Sequence, residues 1–174
     1  ILETVVTNIE AQTATGGVFV SNTGALAVGN TNGILNGVDV TGASGDISLV
    51  ATGTINVVSH DEDISGPGNI TLNAQGAASD VNTSGSNSVS TIRSSGAAAT
   101  VSLLAGRDVN VGAPNPAGYG DTLSAGNILV NAGRDFVLKQ DSFLDVNGAG
   151  TNTILAGRDI ILFTDGSNSR MSTI

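Results

Sequence analysis

Two charged features of this chain contain residue types that could transfer protons or bind an ion. The first is the run His60-Asp61-Glu62-Asp63. It contains the only histidine and is the longest run of consecutive charged residues. Clustered carboxylates beside a cationic group could handle protons during sugar cleavage, or could bind a hard cation such as Ca²⁺. The run lies in SHDEDISGPGN, a polar segment bounded by Gly and Pro, and no second cluster stands at a repeat-related position. We therefore predict a solvated loop, no enzyme and no cofactor, with a cation site in this loop as the open alternative.

The second charged feature is the tetrapeptide Ala-Gly-Arg-Asp, which occurs three times, each time between two apolar stretches. We expect the alanine to be the last inward residue of a strand and the glycine to permit a corner conformation closed to residues with a Cβ. The arginine and aspartate should face solvent and stack in columns, so that unlike charges pair between repeats. The alternative is an anion or sugar-carboxylate site built from three arginines. The predicted corners are Ala105, Gly106, Arg107 and Asp108; Ala132, Gly133, Arg134 and Asp135; and Ala156, Gly157, Arg158 and Asp159.

The segments that position these corners repeat along the chain. Aligned on the corner alanine, the units place Ala51, Ala74, Ala105, Ala132 and Ala156 at one position, and subtraction of the residue numbers gives spacings of 23, 31, 27 and 24. Within a unit the apolar residues alternate with polar ones, which predicts short strands. Gly and β-branched residues interrupt every window of helical length, so we expect almost no helix.

Short strands that recur with Gly or Asn corners predict an all-β fold, a right-handed parallel β-helix of about six to seven rungs, each of about 25 residues. We expect one β-helical segment over residues 1–174, with the clearest repeats at 45–165 and long loops near 59–68, 76–99 and 112–125. The segment is expected to belong to a longer protein or a filament.

The outer surface should become apolar toward the C-terminal third. The outward position after the corner is Asn56 and Asn110 in the middle of the chain, but Val137 and Ile161 further on. Leu129 also falls at an outward position, as do Leu104 and Leu155. We expect the loop at 113–124 to cover the face containing Leu129, Val137 and Ile161; otherwise this face is a surface for lateral association.

Bulk composition excludes several classes of function. The formal net charge of −9 argues against nucleic acid or an anionic membrane as the partner. The absence of cysteine excludes a disulfide framework and a Cys-based zinc site. No apolar run approaches the roughly 18 residues that a membrane-spanning helix needs.

Units of the form G-[DN]-I-x-L-x-A-x-x-x-[IV]-x-[VL], with Ala-Gly-Arg-Asp at the bend, resemble the repeats of filamentous haemagglutinin and related large exoproteins of bacterial two-partner secretion. The resemblance covers most of residues 45–165. It implies a β-helical shaft at the bacterial surface, export through an outer-membrane transporter, and adhesion to a host or bacterial receptor or polysaccharide. The family's secretion domain carries Asn-Pro motifs, and the one candidate here, Pro114-Asn115-Pro116, lies mid-chain. The segment is therefore expected to be interior shaft; the alternatives are a self-assembling extracellular filament, associating end to end or laterally, and a polysaccharide-binding or polysaccharide-cleaving β-helix.

Overall fold

Three parallel sheets make up the fold. The computed structural model describes residues 1–29, 35, 37–58, 62–83, 91–112, 121–163 and 170–173. Over these residues it has twenty-one β-strands and no helix, and each sheet has seven strands. The described part of the chain therefore has no helix that is long and apolar enough to cross a membrane. The prediction of an all-β parallel β-helix is confirmed.

Sheet A begins each coil, where a coil means three successive strands, one from each sheet. Its strands are β1 (Leu2–Thr4), β4 (Val18–Asn22), β7 (Ile47–Ala51), β10 (Ile70–Ala74), β13 (Thr100–Ala105), β16 (Asn127–Ala132) and β19 (Asn152–Ala156). Sheet B follows with β2 (Asn8–Ile9), β5 (Leu26–Val28), β8 (Ile55–Val57), β11 (Val81–Thr83), β14 (Val109–Val111), β17 (Asp135–Leu138) and β20 (Asp159–Leu162). Sheet C completes the coil with β3 (Ala11–Thr13), β6 (Val38–Val40), β9 (Glu62–Gly66), β12 (Thr91–Ser94), β15 (Thr122–Ala125), β18 (Phe143–Val146) and β21 (Arg170–Thr173).

The register of sheet A follows the corner alanines. Ala51, Ala74, Ala105, Ala132 and Ala156 are successive partners across five strands, as the repeat alignment predicts. In the preceding coil the same position is held by Asn22. The side-chain amide of Asn22 is buried and makes two hydrogen bonds with the backbone of Val6. Its Oδ1 accepts from Val6 N at 3.0 Å, and its Nδ2 donates to Val6 O at 3.1 Å. A polar residue is tolerated there because its hydrogen bonds are satisfied.

The core is a stack of aliphatic side chains on the shaft axis. Strands such as β7 and β10 alternate buried and half-buried residues, so Ile47, Leu49 and Ala51 point inward as predicted. The buried hydrophobic set is almost entirely Val, Ile, Leu and Ala, and Phe136 is its largest member. Small and β-branched residues suit this interior because three sheets surround a narrow axis, and no coil can bury its own apolar face without its neighbours.

The segments predicted as long loops contain short strands of sheets B and C among their described residues, which corrects the loop prediction for those residues. Strand β9 lies in 59–68, β11 and β12 lie in 76–99, and β15 lies in 112–125. These strands are short and polar: Thr91–Ser94 contains a single large apolar residue, Ile92, and its register shifts between Thr91 and Ile92. Pairing with the neighbouring coils stabilises them, and a local hydrophobic pattern does not reveal that contribution.

Leu103 provides a test of the stacked core, because it is fully buried in the middle of sheet A. We expect Leu103→Ala to lower the free energy of unfolding by about 2–5 kcal/mol, since the cavity lies between coils that cannot collapse onto it independently. The matched control is Ser102→Ala, which changes the adjacent half-buried outward residue and should alter stability by less than about 0.5 kcal/mol. Urea unfolding followed by circular dichroism measures both; equal effects would contradict the assignment of inward and outward faces.

Candidate functional site

The three Ala-Gly-Arg-Asp corners stack in one ridge where sheet A turns into sheet B. The backbone N–H of Arg134 donates to the carbonyl of Arg107 at 2.7 Å, and Arg158 donates to the carbonyl of Arg134 at the same distance. Asp135 and Asp159 are partners in the register of sheet B. The predicted columns of arginines and aspartates are therefore confirmed.

The corner glycines are needed for a reason other than the predicted one. Gly106, Gly133 and Gly157 do not have positive φ. Instead, each lies against the backbone of the coil before it: a Cβ on Gly133 would stand 2.2 Å from the carbonyl oxygen of Gly106, and one on Gly157 would stand 2.2 Å from that of Gly133. Close contact between coils, rather than a left-handed conformation, excludes a side chain at this position.

Each arginine pairs with the aspartate of the preceding coil in a bidentate geometry. Arg107 reaches back to Asp80 with Nε–Oδ1 at 2.8 Å and Nη2–Oδ2 at 2.6 Å. Arg134 contacts Asp108 in the same way, with Nε–Oδ1 at 2.8 Å and a second bond from Nη2 to Oδ2. Arg158 and Asp135 repeat the arrangement, again with Nε–Oδ1 at 2.8 Å. We call this set of pairs the corner ladder.

The aspartates are buried, which corrects the expectation that both charges face solvent. The side chains of Asp80, Asp108 and Asp135 are 12%, 11% and 7% exposed, whereas the arginines range from 41% to 59%. The carboxylates of Asp80 and Asp108 each receive a third bond from backbone: Asp108 N donates to Asp80 Oδ1 at 3.1 Å, and Asp135 N donates to Asp108 Oδ1 at 3.2 Å. The guanidinium therefore covers the carboxylate of the coil before it, and the bidentate geometry makes the pair stronger than a single hydrogen bond between the same groups.

Asp80 begins the ladder and was not predicted. The turn between Ala74 and Val81 has six intervening residues, whereas the turn between Ala105 and Val109 has three. In the longer turn, Ser79 stands directly before Asp80, at the place where the later corners have an arginine. The signal that could have found Asp80 is its place directly before a sheet B strand, as for Asp108. Pairing with Arg107 shows that the ladder needs an aspartate on one coil and an arginine on the next, and the full tetrapeptide is unnecessary at its start.

The ladder shifts the titration of its groups. Burial alone would raise the pKa of Asp80, but hydrogen bonds from the Arg107 guanidinium and the Asp108 backbone, with the charges of Arg107 and Arg134, hold it below its usual value. Hydrogen bonding from Arg158 outweighs burial and lowers the pKa of Asp135. The same pairs raise the pKa of Arg107, Arg134 and Arg158. All the ladder groups with a shifted pKa are therefore held in their charged forms at neutral pH.

The corner ladder is better suited to holding neighbouring coils together than to binding an anion. Nε and Nη2 of each arginine already contact a carboxylate. The column holds Arg107, Arg134 and Arg158 against Asp80, Asp108, Asp135 and Asp159, so its formal charge is 3 − 4 = −1. An anionic ligand would approach a column without excess positive charge.

A second ladder, of asparagine amides, runs along the outer face of sheet B. Asn82 Nδ2 donates to Asn56 Oδ1 at 2.9 Å, and Asn110 Nδ2 donates to Asn82 Oδ1 at 2.9 Å. The outward positions of Asn56 and Asn110 are as predicted, whereas Asn82 was missed because its strand lies in a segment predicted as loop. Val137 and Ile161 continue the same column.

The predicted apolar face is divided between two sheets. Val137 and Ile161 are register neighbours in sheet B and are half-buried and 36% exposed, respectively. Leu129 is half-buried in sheet A, beyond the corner ladder. Of the expected covering loop at 113–124, residues 113–120 lie outside the described part, and 122–124 belong to β15. Coverage by that loop stays a prediction.

The acidic run at His60-Asp63 is described only in part. His60 and Asp61 lie outside the described residues, while Glu62 and Asp63 belong to β9 rather than to a loop. Pro114-Asn115-Pro116 also lies outside them. Across the portion that the structure describes, no group of three or more His, Asp or Glu side chains could hold a metal ion.

Comparison with protein-family models, with curated proteins and with solved structures gives no match for this chain.

The corner ladder predicts how stability depends on pH. Because the pKa values of Asp80 and Asp135 are lowered by folding, their stabilising contribution is complete above the unfolded value of about 4 and is lost as the pH falls through the folded values. Asp80→Asn should lower the free energy of unfolding at pH 7 by about 1 kcal/mol, a modest value because Arg107 is half-exposed, and should flatten the decline below about pH 4. Denaturant titrations at several pH values measure this.

Asp159→Asn is the matched control, since it makes the same change at a carboxylate that is 56% exposed at the end of the ladder. Its effect on stability at pH 7 should be smaller than that of Asp80→Asn. An equal effect would show that burial beneath the next arginine contributes nothing.

Proposed function

We propose that this chain is a segment of the rigid, adhesive shaft of an exported bacterial surface protein. The observation that carries the proposal is the continuity of register: three sheets run through seven coils, and the charged side chains of the corner join the last four coils to one another. At about 4.8 Å per coil, seven coils span about 30 Å. A stack that adds length at constant cross-section suits a part that extends and presents a binding surface.

The cellular setting of the proposal comes from the resemblance to filamentous haemagglutinin repeats. It places the segment outside the cell, after export through an outer-membrane transporter, with a host or bacterial surface receptor or polysaccharide as partner. The net charge of −9 is consistent with a soluble shaft that does not bind nucleic acid. In a shaft, the paired charged groups of the corner hold one coil to the next. The proposal requires no catalytic step.

An adhesive shaft should bind cells without altering the polymer it binds. We expect the labelled chain to bind bacterial or epithelial cells saturably, to be displaced by unlabelled chain, and to release no reducing ends from surface polysaccharides. Flow cytometry measures the binding, and a reducing-sugar assay measures the cleavage. Release of sugar ends at a rate proportional to protein concentration would favour the polysaccharide-cleaving alternative, and absence of saturable binding would remove the adhesive part of the proposal.

Polysaccharide binding is the second candidate, and a cleft on the outside of the shaft favours it. The cleft has a volume of about 250 Å³ and lies where sheet C turns toward the next coil. Arg93, Ser65, Ser95 and Thr41 provide a guanidinium and hydroxyl groups, and Pro67 provides an apolar wall. A guanidinium beside hydroxyls fits a sugar that carries a carboxylate.

If the cleft binds acidic sugars, Arg93→Ala should weaken binding to uronic-acid polysaccharides at least tenfold, because the charge that recognises the carboxylate is lost. Asp145→Asn is the control: Asp145 lies on the same outer column of sheet C, two coils away. A glycan array with the purified variants measures both. Equal binding by wild type and Arg93→Ala would exclude the cleft and leave the shaft proposal intact.

A further inference from the structure

The outer face of sheet A is uncharged, although the chain is strongly acidic. Strands β4, β7, β10, β13, β16 and β19, all of which the structure describes, contain no charged residue. The chain as a whole has a formal net charge of −9. On sheet C, by contrast, one outward column contains Asp39, Arg93 and Asp145. Two copies of this chain repel each other overall, but the outer face of these six strands, which we call the neutral face, can meet another surface without burying a charge.

The neutral face presents two outward residues in each coil, and these form two columns along the shaft. In five of the six coils one of the two residues is large and apolar, and the other is Ser, Thr or Asn. Only the coil of β10 departs from this rule, because its outward residues are Thr71 and Asn73. Leu129 belongs to this face, whereas Val137 lies on sheet B. The large residues are Phe19, Val50, Leu104, Leu129 and Leu155.

The size of the neutral face fits a weak, reversible interface. Six strands about 4.8 Å apart, each five residues long at about 3.3 Å per residue, give a footprint of about 470 Å². Two such faces together bury about 950 Å², which lies in the range of weak, transient complexes. Sheet B is less suitable, because a strand such as β8 presents one outward residue, Asn56, and is therefore narrower.

We propose that the neutral face pairs with the same face of a second copy, with the two shafts side by side and pointing in the same direction. A two-fold axis parallel to the shaft places the first outward column of one copy opposite the second column of the other, coil for coil. Each large apolar side chain then lies opposite a Ser, Thr or Asn, so that large and small residues interdigitate between two sheets. The inference goes beyond the adhesive role and does not depend on it.

The corner ladder favours the parallel arrangement over the antiparallel one. In the parallel pair, the ladder of one copy lies opposite the corner between sheets C and A of the other, where Thr100, Asn127 and Thr151 are uncharged. A two-fold axis across the shaft would instead place the ladder arginines, which are 41% to 59% exposed, opposite the same arginines of the second copy. Like charges that face each other across an interface are unfavourable.

Leu104→Glu tests the proposal by placing a carboxylate in the neutral face. We expect the wild type to form a reversible, concentration-dependent dimer in analytical ultracentrifugation, and Leu104→Glu to dimerise about tenfold more weakly. Val137→Glu is the matched control: it changes a half-buried outward residue of sheet B and should dimerise like the wild type. Asn73→Leu gives the coil of β10 the large residue that it lacks and should tighten the dimer about threefold. Circular dichroism checks that each variant keeps its β-structure.

Asn127→Asp tests the direction of the two shafts. Asp46 holds the same position before β7, so the fold accepts aspartate there, and both side chains accept a backbone N–H of the following coil through Oδ1. In the parallel pair the new carboxylate would lie near Arg134 of the second copy and should tighten the dimer about twofold. In an antiparallel pair it would lie near Asp46 of the second copy, and the dimer would weaken.

Several outcomes would overturn the inference. They are a wild type that stays monomeric at every concentration, a dimer that Leu104→Glu leaves unchanged, and a dimer that Val137→Glu weakens equally. A dimer weakened by Asn127→Asp would overturn the parallel arrangement. If the wild type is monomeric and Leu104→Glu abolishes binding to an uncharged polysaccharide on a glycan array, the face holds a sugar and not a second copy. Cell binding is measured separately, so failure of the pairing can be distinguished from failure of the adhesive role.

Discussion

Parallel pairing of each coil with the next, at one fixed register, is the constraint on which this structure depends. Every strand interior to a sheet has its backbone partners in the coils on either side, so no coil is complete alone. A slip of one residue in β10 would turn Ile70, Leu72 and Ala74 outward together, because strand side chains alternate with period two. The apolar axis and the outer polar columns are thus two consequences of one register.

Side-chain ladders add directional bonds to that register at the corner and along sheet B. A core of Val, Ile, Leu and Ala has few shapes that distinguish one coil from another. At the corner, the bidentate contact between Arg134 and Asp108 can form in only one alignment, and the amides of Asn56, Asn82 and Asn110 require the same alignment on the next sheet. Directional bonds therefore supply the specificity that the small aliphatic core lacks.

The features that repeat from coil to coil can be predicted from the sequence, whereas the features that depend on contacts between coils cannot. The five corner alanines and the alternation in strands such as β7 are enough to place sheets A and B and the arginine column, because successive coils from β7 onward repeat them. Sheet C was largely missed, since a strand such as Thr91–Ser94 is polar and depends on its neighbours. Burial of Asp108 and the role of Gly133 were also missed, because both follow from how closely two coils approach, a distance that no single repeat encodes.

The hydrogen bonds of both ladders point in one direction along the shaft. Arg107, Arg134 and Arg158 each donate to the carboxylate of the preceding coil, and Asn82 and Asn110 donate to the preceding amide. In a chain that emerges N-terminus first, each new coil would bring donors to acceptors that are already in place. The growing tip would then present carboxylate and amide oxygens, which water solvates well. Directionality of this kind would allow vectorial folding, one coil at a time, with no ladder donor waiting for an acceptor still to come.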